Sequence, residues 1–331
     1  MRSTCSLYID AGYLLASAAT RVTGTSLRSG IHVDYSALIS SLVDAAEARS
    51  GLPVLRVHWY DSAKNGVPDP QQERIGELSK VKLRLGRFGV NGEQKGVDLR
   101  MGLDLVAHAR NGASDVFFLI SGDDDLTEAV EEAQVHGVQV VLLAVPTVDG
   151  RPHGVSRHLV RAADELDIID GAAVDTAVMK VDRQPAPEPV MPEPKPEPAR
   201  PAVAAARPAI RTPLDVATIP QSLTTPRQTS VLAYSASTGS PAQVLPGYGE
   251  DREDAQQEQL IDEVVARVLT SFQESASSDD QLELQRAKPS IPRDIDRALL
   301  LDASDAMQKY DLDEGIRFRL RARFWEKYDK A

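Results

Sequence analysis

Cysteine is almost missing from this chain of 331 residues. Cys5 stands alone, so an internal disulfide is excluded and a reducing cytoplasm is the expected setting. Long apolar runs are missing too: no segment approaches about 18 uninterrupted apolar residues. The amino-terminal stretch MRSTCSLYIDAGYLL meets a charge at Asp10 before any such run develops. Neither a signal peptide nor a membrane span is expected, and the protein is expected to be soluble. The histidines His32, His58, His108, His136, His153 and His158 lack zinc-ligand spacing, because no Cys or Glu completes the pair at His153 and His158. There is no P-loop, no G-x-G-x-x-G and no G-x-S-x-G elbow, so dinucleotide binding and serine hydrolase chemistry lack support. Cations are outnumbered, 37 Lys and Arg against 49 Asp and Glu, for a net charge of -12. That balance argues against broad, sequence-blind clamping of a duplex. It leaves room for an acidic site that holds metal beside a local basic strip.

What is present is an alternation. Short apolar, β-rich runs are CSLYI (5–9), VLRVHWY (54–60), KVKLRLG (80–86), VFFLI (116–120) and VQVVLLAV (138–145), with LDIID (166–170) as a further candidate. Stretches with helical spacing lie between them, at 35–49, 69–78, 99–110, 125–136 and 156–163. Strands alternating with helices of roughly 10 to 15 residues predict βαβ units and a mostly parallel sheet flanked by helices. The nearly all-apolar runs at 116–120 and 138–145 predict central strands covered on both faces.

This α/β domain is expected over 1–181. Residues 182–252 differ in kind: RQPAPEPVMPEPKPEPARPAVAAARPAI is dominated by Pro, Ala and Glu, and the rest is rich in Ser, Thr and Pro. Neither part can bury a core, which predicts a disordered, Pro-rich linker. Helical periodicity returns over 253–331. Leu260, Ile261, Val264, Val265, Val268, Leu269 and Phe272 form one apolar stripe. A second helix is expected from about Pro292, with Ser290 as a nearby cap, and a third over 313–328, giving a small module of about three helices.

The chemistry concentrates in LISGDDDLTEAV, 119–130, where Asp123, Asp124 and Asp125 follow an apolar strand. Three like charges repel one another unless a cation neutralises them. Ligands of open α/β sheets bind beyond the carboxyl ends of the strands. Asp10 ends the first strand. Asp98 opens a helix in KGVDLRMGLDLVAHA, and Asp104 lies further along it. Hard oxygen ligands of this kind suit Mg²⁺ or Mn²⁺, which activate water and stabilise a leaving oxygen in phosphodiester cleavage. Four of these acids also have a plainer role. Asp98, Asp123 and Asp125 sit where helix caps sit, and Asp104 can pair with Arg100 or His108 on its own helix.

LYIDAGYL, KGVDLRMGLDLVAHA and FFLISGDDDLTEAVEEAQVHGVQVVLLAV resemble, in this order, the three signature segments of the NYN domain, a PIN-like nuclease domain of Rossmann-like architecture. The resemblance covers about 4–171. It implies that Asp10, Asp98, Asp123 and Asp125 are catalytic metal ligands of a ribonuclease, with Asp104 a less certain fifth acid. Asp124 falls on the motif's variable position and is expected to face solvent. Two residues depart from the pattern. Tyr13 stands where the family often has Asn, and either stacks on a base or alters activity. Leu126 stands where it often has Phe, a change of packing.

Candidate substrate contacts are Tyr13, Ser121, Lys95, Lys82 and Arg84. Lys80, Lys82 and Arg84 alternate along KVKLRLGR and so share a strand face. That face is either a charge-protected edge strand or a track for backbone phosphates. In the last helix Arg319, Arg323 and Lys327 recur every four residues, either as a solvated face or as a surface for RNA or an acidic partner. The leading reading is an Mg²⁺- or Mn²⁺-dependent RNA endonuclease, cytoplasmic, without membrane contact, acting on single-stranded or structured RNA. Its C-terminal helices have a possible protein partner. The alternative is a non-catalytic RNA- or protein-binding scaffold that retains an acidic pocket; a phosphatase or nucleotide hydrolase using the same metal site is a third reading.

Overall fold

A computed structural model describes residues 3–63, 66–88, 94–181, 250–309 and 312–330; the side chains of 87–88, 94–95 and 250–254 also lie outside the description. The linker expected over 182–252 lies outside the described residues as far as 249.

The expected strands form as β1 (Cys5–Asp10), β3 (Val54–Ala63), β4 (Val81–Phe88), β6 (Val116–Ile120), β7 (Gln139–Ala144) and β8 (Glu165–Ile168). Three short strands join them: β2 (Ile31–Val33), β5 (Gln94–Lys95) and β9 (Val178–Lys180). The main sheet runs β5-β4-β3-β1-β6-β7-β8, parallel at every junction except β4 with β5. Its helices are α1 (Ala11–Thr23), α2 (Tyr35–Ser50), α3 (Pro70–Glu77), α4 (Val97–Arg110), α5 (Thr127–Val135), α6 (Arg157–Ala162) and α7 (Gly171–Ala177).

Alternation along β1 divides the interior. Leu7 and Ile9 pack with Leu14 of α1 and Leu38 and Leu42 of α2 on one face. Tyr8 packs with Met101 and Leu105 of α4 and Val130 of α5 on the other. The chain builds outward from β1 through β3 to β4, and α4 then carries it back to β6 on the opposite side of β1. That reversal is a topological switch point, and it leaves the ends of β1 and β6 side by side.

Beyond the linker come α8 (Glu250–Ser275), α9 (Ser278–Ala287), α10 (Arg293–Met307) and α11 (Glu314–Tyr328). The structure thus has four helices where the sequence predicts about three. All described residues belong to one compact unit. The helical core of Val264, Val268, Phe272, Leu299, Leu320 and Phe324 also takes in Leu27, from the connection between α1 and β2. Next to it the Ser26 backbone N–H donates to Asp302 of α10 at 2.9 Å. Among the described residues no helix is long and apolar enough to cross a membrane.

The Arg319–Arg323–Lys327 stripe meets an acidic partner within the chain itself. It faces α8. Arg319 pairs with Glu258 at 2.9 Å, Arg323 with Asp262 at 2.8 Å and Lys327 with Asp262 at 3.0 Å. The acidic partner is the chain's own helix.

Candidate functional site

The switch point collects the acids. Asp10 is the last residue of β1 and the N-cap of α1, where its Oδ1 accepts from the Gly12 N–H at 2.7 Å. Beyond β6, Ser121 is buried; its Oγ accepts from the Asp123 N–H at 3.2 Å and reaches Asp10 Oδ2 at 3.5 Å. One hydroxyl therefore ties the ends of both strands together. Asp123 caps a short 3₁₀ turn, Asp124–Leu126, accepting from the Asp125 N–H at 3.1 Å. Asp125 itself is exposed. Asp98 enters from α4, one residue past the helix start, behind a Gly96 with φ of 87° that only glycine adopts readily.

The electrostatics show that these acids act on one another. Asp98 is pushed up to about 6, first by burial and then by the negative charges of Asp10, Asp123 and Asp125. Burial also pushes the Asp10 carboxyl up, against Arg297, the amides of Tyr13 and Gly12, and Arg28. The two arginines press close: a Cβ built on Gly12 would lie 2.8 Å from Arg297 Nη2, 2.8 Å from Asp10 Oδ1 and 3.2 Å from Arg28 Nη2. Arg28 precedes β2, while Arg297 belongs to α10. Sequence reasoning missed both, because each is adjacent to the site only through tertiary packing.

A cavity of about 1160 Å³ opens over Asp10 and Asp123, between the loop at 152–158 and the α10 residues Leu301, Ser304 and Asp305. The C-terminal helices thus form one wall of the acidic cleft. His153 Nε2 lies 3.0 Å from Asp305 across it.

The remaining candidates are placed as follows. Asp124 does not simply face solvent: it is half-buried and accepts a hydrogen bond from the Ser156 hydroxyl. Tyr13 donates to the His153 carbonyl at 2.7 Å and accepts from the Val145 N–H at 3.2 Å, so its hydroxyl fastens the loop at 152–154 to the end of β7. Among the described residues no ion pair joins Asp104 to Arg100 or His108, although its charge acts on His108. Asp104 accepts from the Tyr60 hydroxyl at 2.9 Å and meets Arg84 Nε at 3.3 Å. Arg84 is thereby held by an acid, and Lys82 remains exposed on β4. Lys80 is not part of the strand face: it precedes β4 with φ of 65° and pairs with Glu47 at 3.4 Å. The Lys95 side chain lies outside the described residues.

The donor set is one of hard oxygens carrying unbalanced negative charge, which fits Mg²⁺ or Mn²⁺. Among the described residues no three His, Cys, Asp or Glu side chains are drawn close enough to grip an ion as they stand. The carboxylates of Asp10 and Asp123 are instead turned onto their own cap amides.

An uncharacterized protein of Sinorhizobium fredii (strain NBRC 101917 / NGR234), y4oD, is 36% identical over 96 residues, 29% of this chain. The match spans 45% of that relative, less than half its length. No solved structure matches the chain. The model of the NYN domain matches residues 4–170, which run from the strand before Asp10 to the last strand of the main sheet. The chain belongs to the NYN domain family, a family of PIN-like nucleases.

Proposed function

We propose that the protein is a divalent-cation-dependent ribonuclease, with Asp10, Asp98, Asp123 and Asp125 as the residues that would hold the cation. The observation that supports this reading is that Asp10, Asp123 and Asp125, from two other segments, all act on Asp98, whose carboxyl burial first and these charges second push up to about 6. Perturbation by burial plus like charge supports a functional site. A bound cation supplies Lewis-acid activation of water and charge stabilisation at the leaving oxygen. Asp10 and Asp98 are partly buried, so they can hold the charge out of bulk water, and exposed Asp125 stands on the solvent side. Ser121 keeps the ends of β1 and β6 in register beneath them. The cleft, lined also by Arg297, suits a polyanionic strand.

The test is incubation of the full chain with labelled single-stranded RNA in Mg²⁺, Mn²⁺ or EDTA, beside Asp123→Asn. Cleavage by the parent alone, and only with metal, is expected. Cleavage that survives in EDTA, or in the well-folded variant, would sink the assignment.

A non-catalytic scaffold is the second reading, and one observation favours it. Arg28 and Arg297 lie against Asp10 and neutralise part of its charge without any metal. A scaffold binds RNA equally well in EDTA and leaves it intact.

A further inference from the structure

Three arginines meet where α10 lies on the α/β domain. Arg28, Arg293 and Arg297 line one cavity of about 480 Å³, and Arg297 also lines the larger cleft over Asp10 and Asp123. The two cavities therefore share a wall. Only Arg28 comes from the α/β domain. Arg293 and Arg297 lie on α10, well beyond the residues 4–170 that define the family.

Like charges brought together out of water repel one another, and Asp10 offsets only part of this cluster's charge. Buried Nε and Nη2 of Arg28 have no hydrogen-bond partner among the described residues. Leaving such charged donors unsatisfied is costly. Burial lowers Arg293 below the ordinary arginine value; Asp294 and Asp61 counter the effect and Arg28 adds to it, so the guanidiniums sense one another. Among the described residues no ion pair joins Arg28 to the acids that line the cavity. Asp61 accepts from the Gln72 amide at 2.9 Å and from its neighbour's N–H at 2.8 Å, Asp69 caps α3, and Asp294 is exposed.

We infer that this cavity is a phosphate-binding subsite, built jointly by Arg28 of the α/β domain and Arg293 and Arg297 of α10, for one phosphate of the nucleic-acid strand whose phosphodiester lies at the neighbouring acids. Guanidinium forks match phosphate oxygens in geometry and charge. The volume falls in the range that holds a nucleotide-sized group. On this account α10 belongs to the substrate site. The inference rests on the ribonuclease reading for the identity of the ligand, but its binding chemistry needs no metal.

That independence separates the two in experiment. Calorimetric titration of the full chain with inorganic phosphate, in EDTA, is expected to give saturable one-site binding. Arg28→Gln and Arg293→Gln should each weaken it by roughly tenfold or more, the loss expected for one charge-assisted contact. Asp123→Asn should abolish cleavage yet leave phosphate binding unchanged. Circular dichroism and thermal unfolding establish that each variant is folded, and Arg293, half-buried on a helix, serves if Arg28→Gln fails to fold. Binding of 5′-phosphorylated and 5′-hydroxyl oligonucleotides identifies the source. Tighter binding of the former, lost in the arginine variants, assigns the terminal phosphate; equal binding, equally weakened by the variants, assigns an internal one. No saturable phosphate binding by the parent, or undiminished binding in the folded variants, overturns the inference even if RNA is cleaved.

Discussion

Gly122 and Gly154 are in such close contact that a Cβ added to Gly122 would lie 1.8 Å from the Gly154 carbonyl oxygen. The loop beyond β6 and the loop at 152–154 thus lock together directly beside Asp123. The Ser156 N–H, donating to the Gly122 carbonyl at 3.0 Å, reinforces the lock. Here the neighbour is backbone and cannot swing aside. Gly122→Ala should therefore cost about 3 kcal/mol or more, at the upper end of overpacking penalties. Urea unfolding measures it. A loss within about 0.5 kcal/mol, the range of a neutral surface change, would contradict the contact.

Tyr13→Phe removes a hydroxyl that both donates to His153 and accepts from Val145. The Val145 N–H and the His153 carbonyl then lose their partner. A destabilisation of about 1 to 3 kcal/mol follows from the loss of a half-buried hydrogen-bonded group. If Tyr13 instead served mainly to stack on a base, the substitution would leave stability nearly untouched.

Asp302 gives the pH dependence. It is 6% exposed, and its carboxyl is pushed up to about 6, chiefly by burial and against the hydrogen bonds from Ser26. Between the ordinary value near 3.8 and the folded value, the native state keeps a proton that the unfolded chain has lost. Stability contributed by this group therefore falls as pH rises from about 4 to 6, by about 3 kcal/mol, and stays lower at pH 7. In Asp302→Asn that fall should disappear from the stability profile. An identical slope in parent and variant would contradict the assignment.

The ladder between α11 and α8 is a surface feature and should behave as one. Arg323, 31% exposed in its side chain, touches Asp262 and Glu258. Arg323→Ala should cost about 0.5 to 1 kcal/mol at low salt, with most of that lost near 1 M salt. RNA affinity should not change, because the stripe is spent on α8. A marked loss of RNA binding would restore the reading of the stripe as a contact surface.

The α/β alternation, the expected strands of the main sheet and the placing of Asp10 and Asp123 at the ends of strands that prove to be neighbours were legible in the sequence. They follow from short-range patterns and from where strands end. Helix α1 was not. Ala11, Leu14, Leu15, Ala18 and Ala19 are buried nearly all round it, so no polar stripe marks its period, although Asp10 stands ready as its cap. Helix α9 was hidden for the opposite reason: Leu284 is its one buried residue, and the capping box at Ser277 and Asp280 is its main signal. Arg28 and Arg297 could not be read at all. Arg28 reaches Asp10 from the turn before β2 and Arg297 from α10, far away in sequence, and no periodicity records either contact. Asp104 found Tyr60 and Arg84 in place of its helical neighbours because α4 lies against β3 and β4.

The central claim is that four aspartates from three segments make one cation site. Its most direct test is titration of the full chain with Mn²⁺, followed by calorimetry or by the spin-resonance signal of free ion, beside Asp10→Asn/Asp123→Asn. The account predicts saturable binding by the parent and a loss of roughly 100-fold or more in the double variant, since both carboxylates are proposed ligands. Equal Mn²⁺ binding by parent and folded variant would contradict it.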